Sequence, residues 1–217
     1  MSDIFNEVDE EVRREQLRRL WERYSILIVA LIVLIVAGVG GWRAYEWYQD
    51  KQAAQTGEAF QNAVALAGEG KQAEARAAFD TIAKTGTRSY ETFARLQSAA
   101  LLEQTDKKAA LAAYDAIAAG GGVNQVLKDV SVVRAGMLAV DLEGYDAVRK
   151  RLEPQASDTA PFRQTARELL AMAALKAGDK KAARTWIEKI STDPQANGNV
   201  RGRVQMMQAL LGAEGNS

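Results

Sequence analysis

The side chains best suited to acid–base and metal chemistry are missing from this sequence. Its 217 residues include no histidine and no cysteine. The first absence removes the proton-transfer group tuned near neutral pH and the commonest metal ligand. The second removes thiol nucleophiles, disulfides and thiolate zinc sites. An enzyme would need a carboxylate pair or a serine–lysine arrangement. Asp106, Asp179 and Asp193 fall instead at turn and helix-start positions, where N-capping accounts for them. The glycines of "AGGGVN" (Ala119–Asn124) lie between helical stretches and read as a turn, not as a phosphate loop after a strand. Catalysis is not expected, and no cofactor or metal is called for.

What remains is recognition. Lysine plus arginine number 28, as do aspartate plus glutamate, so there is no basic excess to neutralise phosphates and no nucleic-acid partner is expected. Tyr90, Arg95, Lys128, Arg134, Arg163 and Arg167 offer aromatic and cationic groups on helices that would line a partner-binding groove. Each also suits a solvated helix face or an ion pair within a repeat.

The elements that must carry these residues are helical. Alanine is frequent and only three prolines occur, Pro154, Pro161 and Pro194, so the fold class is all-α. One phrase recurs: "GKQAEARAAFDTI" (Gly70–Ile82), "TDKKAALAAYDAI" (Thr105–Ile117), the weaker "GYDAVRKRL" (Gly144–Leu152) and "GDKKAARTWIEKI" (Gly178–Ile190). Aligning Ile82, Ile117, Leu152 and Ile190 gives steps of 35, 35 and 38 residues, the longer one coinciding with the connection from Pro154 to Pro161. Ala75, Ala110 and Ala183 each precede a large residue by four positions (Phe79, Tyr114, Ile187), the close-packing position and wedge that stacked helices require. Upstream of each phrase lies another helical stretch, and Leu101, Leu138 and Leu175 recur every 37 residues. Helix–turn–helix units of this period predict a tetratricopeptide-like α-solenoid, although the bulky tryptophan and proline landmarks of the standard repeat are mostly missing. "VRGRVQMMQALLG" (Val200–Gly212) predicts a helix that covers the open end, and "AEGNS" should fray.

Ahead of the repeats stands "SILIVALIVLIVAGVGGW" (Ser25–Trp42). From Ile26 to Trp42 there are 17 consecutive apolar or glycine residues. At about 1.5 Å each they reach roughly 25 Å, close to a hydrocarbon core of about 30 Å. Trp21 and Tyr24 precede the run, and Trp42, Tyr45, Trp47 and Tyr48 end it, as at two membrane interfaces. A core helix would not need such girdles. A cleaved signal would not follow a long acid-rich segment and run into Trp42 and Arg43. The run therefore predicts a retained transmembrane helix in contact with the lipid bilayer. Arg13, Arg14, Arg18, Arg19 and Arg23 precede it, against Arg43 and Lys51 in the twenty residues after it. The N-terminus is expected in the cytoplasm and the repeats outside it. The expected division is a cytoplasmic arm 1–24, a transmembrane helix 25–45 and a repeat domain 46–217. Ala37 and Gly41 form one small-xxx-small pair, which ordinary glycine tolerance also explains. In the arm, the apolar spacing from Ile4 to Trp21, a cap at Ser2 or Asp3, and the pairs Glu10–Arg14 and Glu15–Arg19 describe an amphipathic helix. It could dock on a partner or simply lead into the anchor. No proline interrupts the chain before Pro154, so the anchor helix should run on towards "EWYQDKQAAQTGEAF".

The anchor ending in "GWR" (Gly41–Arg43), "FQNAV" (Phe60–Val64), "EGK" (Glu69–Lys71), "LKDVSVVRAGMLAV" (Leu127–Val140) and "GDKKAARTWIEK" (Gly178–Lys189) together resemble the YfgM-like family. The match lies in their order and spacing and extends to about residue 190; the arm "DIFNEVDEEVRREQL" looks different from the family's better-known members. The resemblance implies a single-pass protein of the bacterial inner membrane with a periplasmic tetratricopeptide-like domain. It implies as partners the SecYEG translocon, a membrane-anchored periplasmic chaperone and newly exported polypeptides. The expected function is thus that of a non-catalytic adaptor assisting the folding of exported proteins. The alternative is a membrane-tethered scaffold for another envelope assembly, such as cytochrome c maturation.

Overall fold

The structure, a computed structural model, describes residues 3–213, without the side chains of residues 3–17, 19, 20, 89, 210 and 213. The expected cap at Ser2 or Asp3, the apolar spacing from Ile4 to Leu20, the pairs Glu10–Arg14 and Glu15–Arg19 and the fraying of the last four residues lie outside the described residues. The chain divides into two compact units, residues 1–54 and 55–217.

The first unit belongs to α1 (Asp3–Gly68). Its stretch from Trp21 onward contains an 18-residue window of mean hydropathy 2.6, none of it buried. Among the described residues it is the one helix long and apolar enough to cross a membrane. Ile26 and Leu34 are 83% and 70% exposed, so the apolar run is not a helix of the protein's own core. A Cβ on Gly41 would meet nothing within 4 Å among the described residues. Trp21, Trp42, Tyr45, Trp47 and Tyr48 are likewise exposed. The Lys51 ammonium stands 5.2 Å over the Trp47 ring, within cation–π range.

The second unit pairs helices in chain order. The last residues of α1 precede α2 (Gln72–Thr85). Then come α3 (Arg88–Thr105) with α4 (Lys107–Ala119) and α5 (Gln125–Leu142) with α6 (Tyr145–Leu152). α7 (Arg163–Lys176) and α8 (Lys180–Ser191) make the last pair, and α9 (Gly198–Ala213) follows. Local chemistry sets these boundaries. Gly70 and Gly178 take φ of +79° and +74°, where a side chain would be strained, and so allow the tight turns before α2 and α8. The carboxylates of Asp106 and Asp179 accept the N–H groups of Ala109 (3.0 Å) and Ala182 (2.9 Å), capping α4 and α8 as expected. Asn124 caps α5 through Val126 N–H at 2.9 Å. α6 stops at Leu152, where the 3-10 turn Glu153–Ala156 begins and Pro154 can no longer donate to a helix. Asp193 meets the capping expectation at its turn, where it accepts the Gln195 N–H at 2.9 Å, but not at a helix start. The start of α9 is capped by Asn197, which accepts Val200 N–H at 3.0 Å, whereas Asp193 is taken up by arginines.

The periodic alanines pack as their spacing predicts. Ala75, Ala110 and Ala183 are fully buried and their wedges Phe79, Tyr114 and Ile187 nearly so. Burying one such large apolar side chain stabilises by about 1.5–3 kcal/mol, so the wedges dominate the packing of each pair. In the third pair Gly136 of α5 takes the close-packing role: a Cβ there would come within 2.5 Å of Leu152 Cδ2 and 2.9 Å of its Cγ. The core is a series of clusters along the stack, around Phe79, around Tyr114, and around Leu152, Leu170 and Ile190. Val200, Val204, Met207 and Leu211 bury one side of α9 on the last cluster, as expected of an end cover.

Candidate partner-binding surface

The face presented by the first helices follows from one register. Ala75, Ala110, Val148 and Ala183 on the second helices are all fully buried, and each lies twelve residues after a small residue on the preceding helix: Ala63, Ser98, Gly136 and Ala171. Those small residues let two helices approach. The residue after each of them begins to turn away from the partner helix: Val64, Ala99, Met137 and Met172. Ala99 is buried, while Val64, Met137 and Met172 are 40%, 42% and 41% exposed. Three apolar side chains thus occupy one repeat position on α1, α5 and α7 and remain open to solvent.

Charged contacts border this row without covering it. Arg134, one turn before Met137, pairs with Glu103 of α3 at 3.6 Å. Asp141, one turn after it, pairs with Lys107 at 3.3 Å. Lys176, one turn after Met172, donates to the carbonyls of Val140 (2.9 Å) and Asp141 (3.0 Å) and so closes the last turn of α5. Arg151 of α6 works the same way on another face. It donates to both oxygens of Asp115 on α4 (3.2 and 2.7 Å) and to Glu143 (2.6 Å). Those bonds, the Asp115 one foremost, raise its pKa against the opposing effect of burial. Arg203 of α9 pairs bidentately with Glu168 of α7. Apart from Arg151–Glu143, these bonds span about one repeat length in sequence, so they tie nearest neighbours in the stack.

The six residues singled out from sequence separate into distinct settings. Tyr90 packs its ring 5.5 Å from Phe60, in the cluster that contains Phe79. Gly57 is opposite it, where a Cβ would stand 2.9 Å from the Tyr90 hydroxyl. Arg95 is exposed and pairs with Glu91 on its own helix at 2.6 Å. Lys128 is half-buried and makes no ion pair among the described residues. Arg134 borders the apolar row. Only Arg163 and Arg167 come together, and they do so at Asp193.

That meeting forms the wall of an open cavity of about 720 Å³ between the start of α7 and the end of α8. Arg163 donates through Nε to Asp193 Oδ2 (2.7 Å) and through Nη2 to Asp193 Oδ1 (3.1 Å) and Gln195 (2.6 Å). Arg167 is 3% exposed and gives its donors to the carbonyls of Ala156 (2.9 Å) and Lys189 (3.1 Å), to Asp193 (3.3 Å) and to Asp158. The hydrogen bond from Arg163 holds the Asp193 carboxyl below the usual range, helped by the Gln195 N–H and by the charges of Arg163 and Arg167, against the opposing cost of burial. The same hydrogen bond raises Arg163. Lys189 also lines the cavity, with its ammonium 4.5 Å over the Trp186 ring. Sequence reasoning missed Asp158, Lys189 and the role of Asp193, which meet through folding and share no spacing. The apolar row was within its reach, one step after each small residue of the repeat.

The family comparison fits this geometry. The chain belongs to the family of the tetratricopeptide repeat-like domain, whose model matches residues 18–211. No curated protein and no solved structure matches it. Repeats of this kind are commonly modules for protein–protein interaction, working through the continuous face that stacked helices present.

Proposed function

We propose that this chain is a non-catalytic adaptor of the bacterial inner membrane. α1 tethers it with the N-terminus in the cytoplasm, and the repeat domain stands in the periplasm beside the Sec translocon. There it assists a membrane-anchored chaperone in receiving newly exported polypeptides. The observation that carries the reading is the exposed row Val64, Met137 and Met172 at one repeat position of a membrane-tethered repeat protein. Methionine side chains are unbranched and polarisable, and they adapt to apolar segments of varied sequence, as a handler of many clients needs. The tether raises the local concentration of that surface where chains emerge, so weak contacts suffice. The resemblance of the anchor and repeat motifs to the YfgM-like family supplies the choice of translocon.

The test is the double substitution Met137→Glu, Met172→Glu in the full-length protein. Both side chains are half-exposed, so the melting temperature should stay within about 2–3 °C of wild type, as for surface changes. Co-purification of translocon subunits or of the chaperone should fall by about tenfold, the effect of losing one or two good apolar contacts. Undiminished co-purification would remove the apolar row from the account. Co-purification of a cytochrome c maturation complex in place of the translocon would establish the scaffold reading.

A further inference from the structure

The cavity between the start of α7 and the end of α8 does not depend on the translocon reading, and its two carboxylates differ in a way that points to a ligand. Asp193 is 5% exposed and fully committed: it accepts from Arg163 twice, from Arg167 and from the Gln195 N–H at 2.9 Å. Asp158 bonds the same buried Arg167, yet its own side chain is 96% exposed. It sits in the connection between the 3-10 turn and α7, and no other hydrogen bond is made to its side chain among the described residues.

Leaving Arg167 costs Asp158 little, because its carboxylate is already hydrated. Arg167 is less free: a guanidinium only 3% exposed that loses Asp158 keeps Asp193 as its charged acceptor and leaves its outer donor to water alone. A carboxylate is a stronger acceptor there than water, and the one the chain supplies is easily exchanged. The charges lining the cavity favour the exchange. Arg163, Arg167 and Lys189 are set against Asp158 and Asp193, and Lys189 has no carboxylate partner among the described residues, its ammonium resting over Trp186. An incoming carboxylate would take the place of Asp158 on Arg167 and add an ion pair to Lys189 that Asp158 does not make.

We infer that this cavity is a binding site for the carboxylate of an acidic polypeptide segment, with Asp158 as its built-in, displaceable occupant. Charge-assisted bonds to a guanidinium and an ammonium give the recognition, and the volume near 720 Å³ leaves room for the residues flanking the acid. A glutamate or aspartate side chain and a chain's C-terminus both supply such a carboxylate, and the experiment separates them.

The experiment uses full-length protein in nonionic detergent and three fluorescein-labelled hexapeptides of alanine and serine. One carries two glutamates and an amidated end, one replaces them with glutamine and keeps a free C-terminal acid, and one has glutamine and an amidated end. At least one acidic peptide should bind and the neutral peptide should not; which acidic one binds identifies the source of the carboxylate. Asp158→Asn, at a fully hydrated position, should tighten that binding about fivefold or more, and Lys189→Gln should weaken it by a similar factor. Two results would overturn the inference. One is an affinity that does not distinguish acidic from neutral peptides in either wild type or Asp158→Asn. The other is binding of inorganic phosphate or phosphatidylglycerol vesicles, with the same response to both substitutions, by a protein that ignores the peptides; the site would then serve a phosphate group.

Discussion

Asp193 shows how one side chain can organise the end of a repeat stack. It gathers Arg163, Arg167 and the Gln195 N–H, and so joins α7 to the segment after α8. Its folded-state pKa is lowered, chiefly by the hydrogen bond from Arg163. The stabilisation it gives is therefore complete above the ordinary aspartate value of about 3.9 and is lost as pH falls through the lowered folded-state value. Asp193→Asn should melt several degrees below wild type at pH 7, because a buried arginine loses a charged acceptor. The gap should begin to close as pH falls below about 3.9, where the unfolded aspartate takes up a proton, and vanish only below the lowered folded-state value, where folded wild type loses the same charge. Thermal melts from pH 7 to pH 2 check this, and a gap that stays constant would mean that the carboxylate's charge is not what Asp193 contributes. Nothing local in "TDPQANGN" (Thr192–Asn199) marks this role. Aspartate before proline reads as turn chemistry, and its partners lie about thirty residues earlier in the chain.

At the scale of elements, the packing of each pair follows from spacing that is legible without coordinates. The alanine and wedge positions recur in the sequence and are buried together in the fold. Gly136 was less legible, since glycine inside a helix usually signals only lost propensity. Here it admits Leu152, itself fully buried among Val148, Leu170 and their neighbours. Gly136→Ala sets two effects against each other. Helix propensity gains up to about 1 kcal/mol. Forcing a methyl within 2.5–2.9 Å of three atoms of the fully buried Leu152 side chain costs more. The expected net loss is about 1–2 kcal/mol by denaturant unfolding of the repeat domain, and an unchanged or raised stability would show that Leu152 can move aside. The inter-repeat bonds from Arg151, Lys176 and Arg203 were not legible, because charged residues on helix faces look alike until neighbouring helices are in place.

For the whole molecule, an apolar helix able to cross a membrane and a stack of tetratricopeptide-like pairs are joined in one chain, and both were readable from hydropathy and period. The position of the open apolar residues was marked by the repeat, but their exposure was not, because it depends on which way each helix turns in the assembled stack: Ala99 at the same position is buried. The cationic and aromatic residues suggested by type alone were drawn largely into ion pairs and ring packing, and the methionines beside the close-packing positions were left open. The central claim, a tethered repeat domain that meets exporting proteins through this row, is tested most directly by placing a photo-crosslinking amino acid at Met137 in living cells. The account predicts light-dependent adducts to translocon subunits, a membrane-anchored periplasmic chaperone or newly exported chains, identified by mass spectrometry. Adducts confined to cytoplasmic proteins, or to an unrelated envelope assembly, would contradict it.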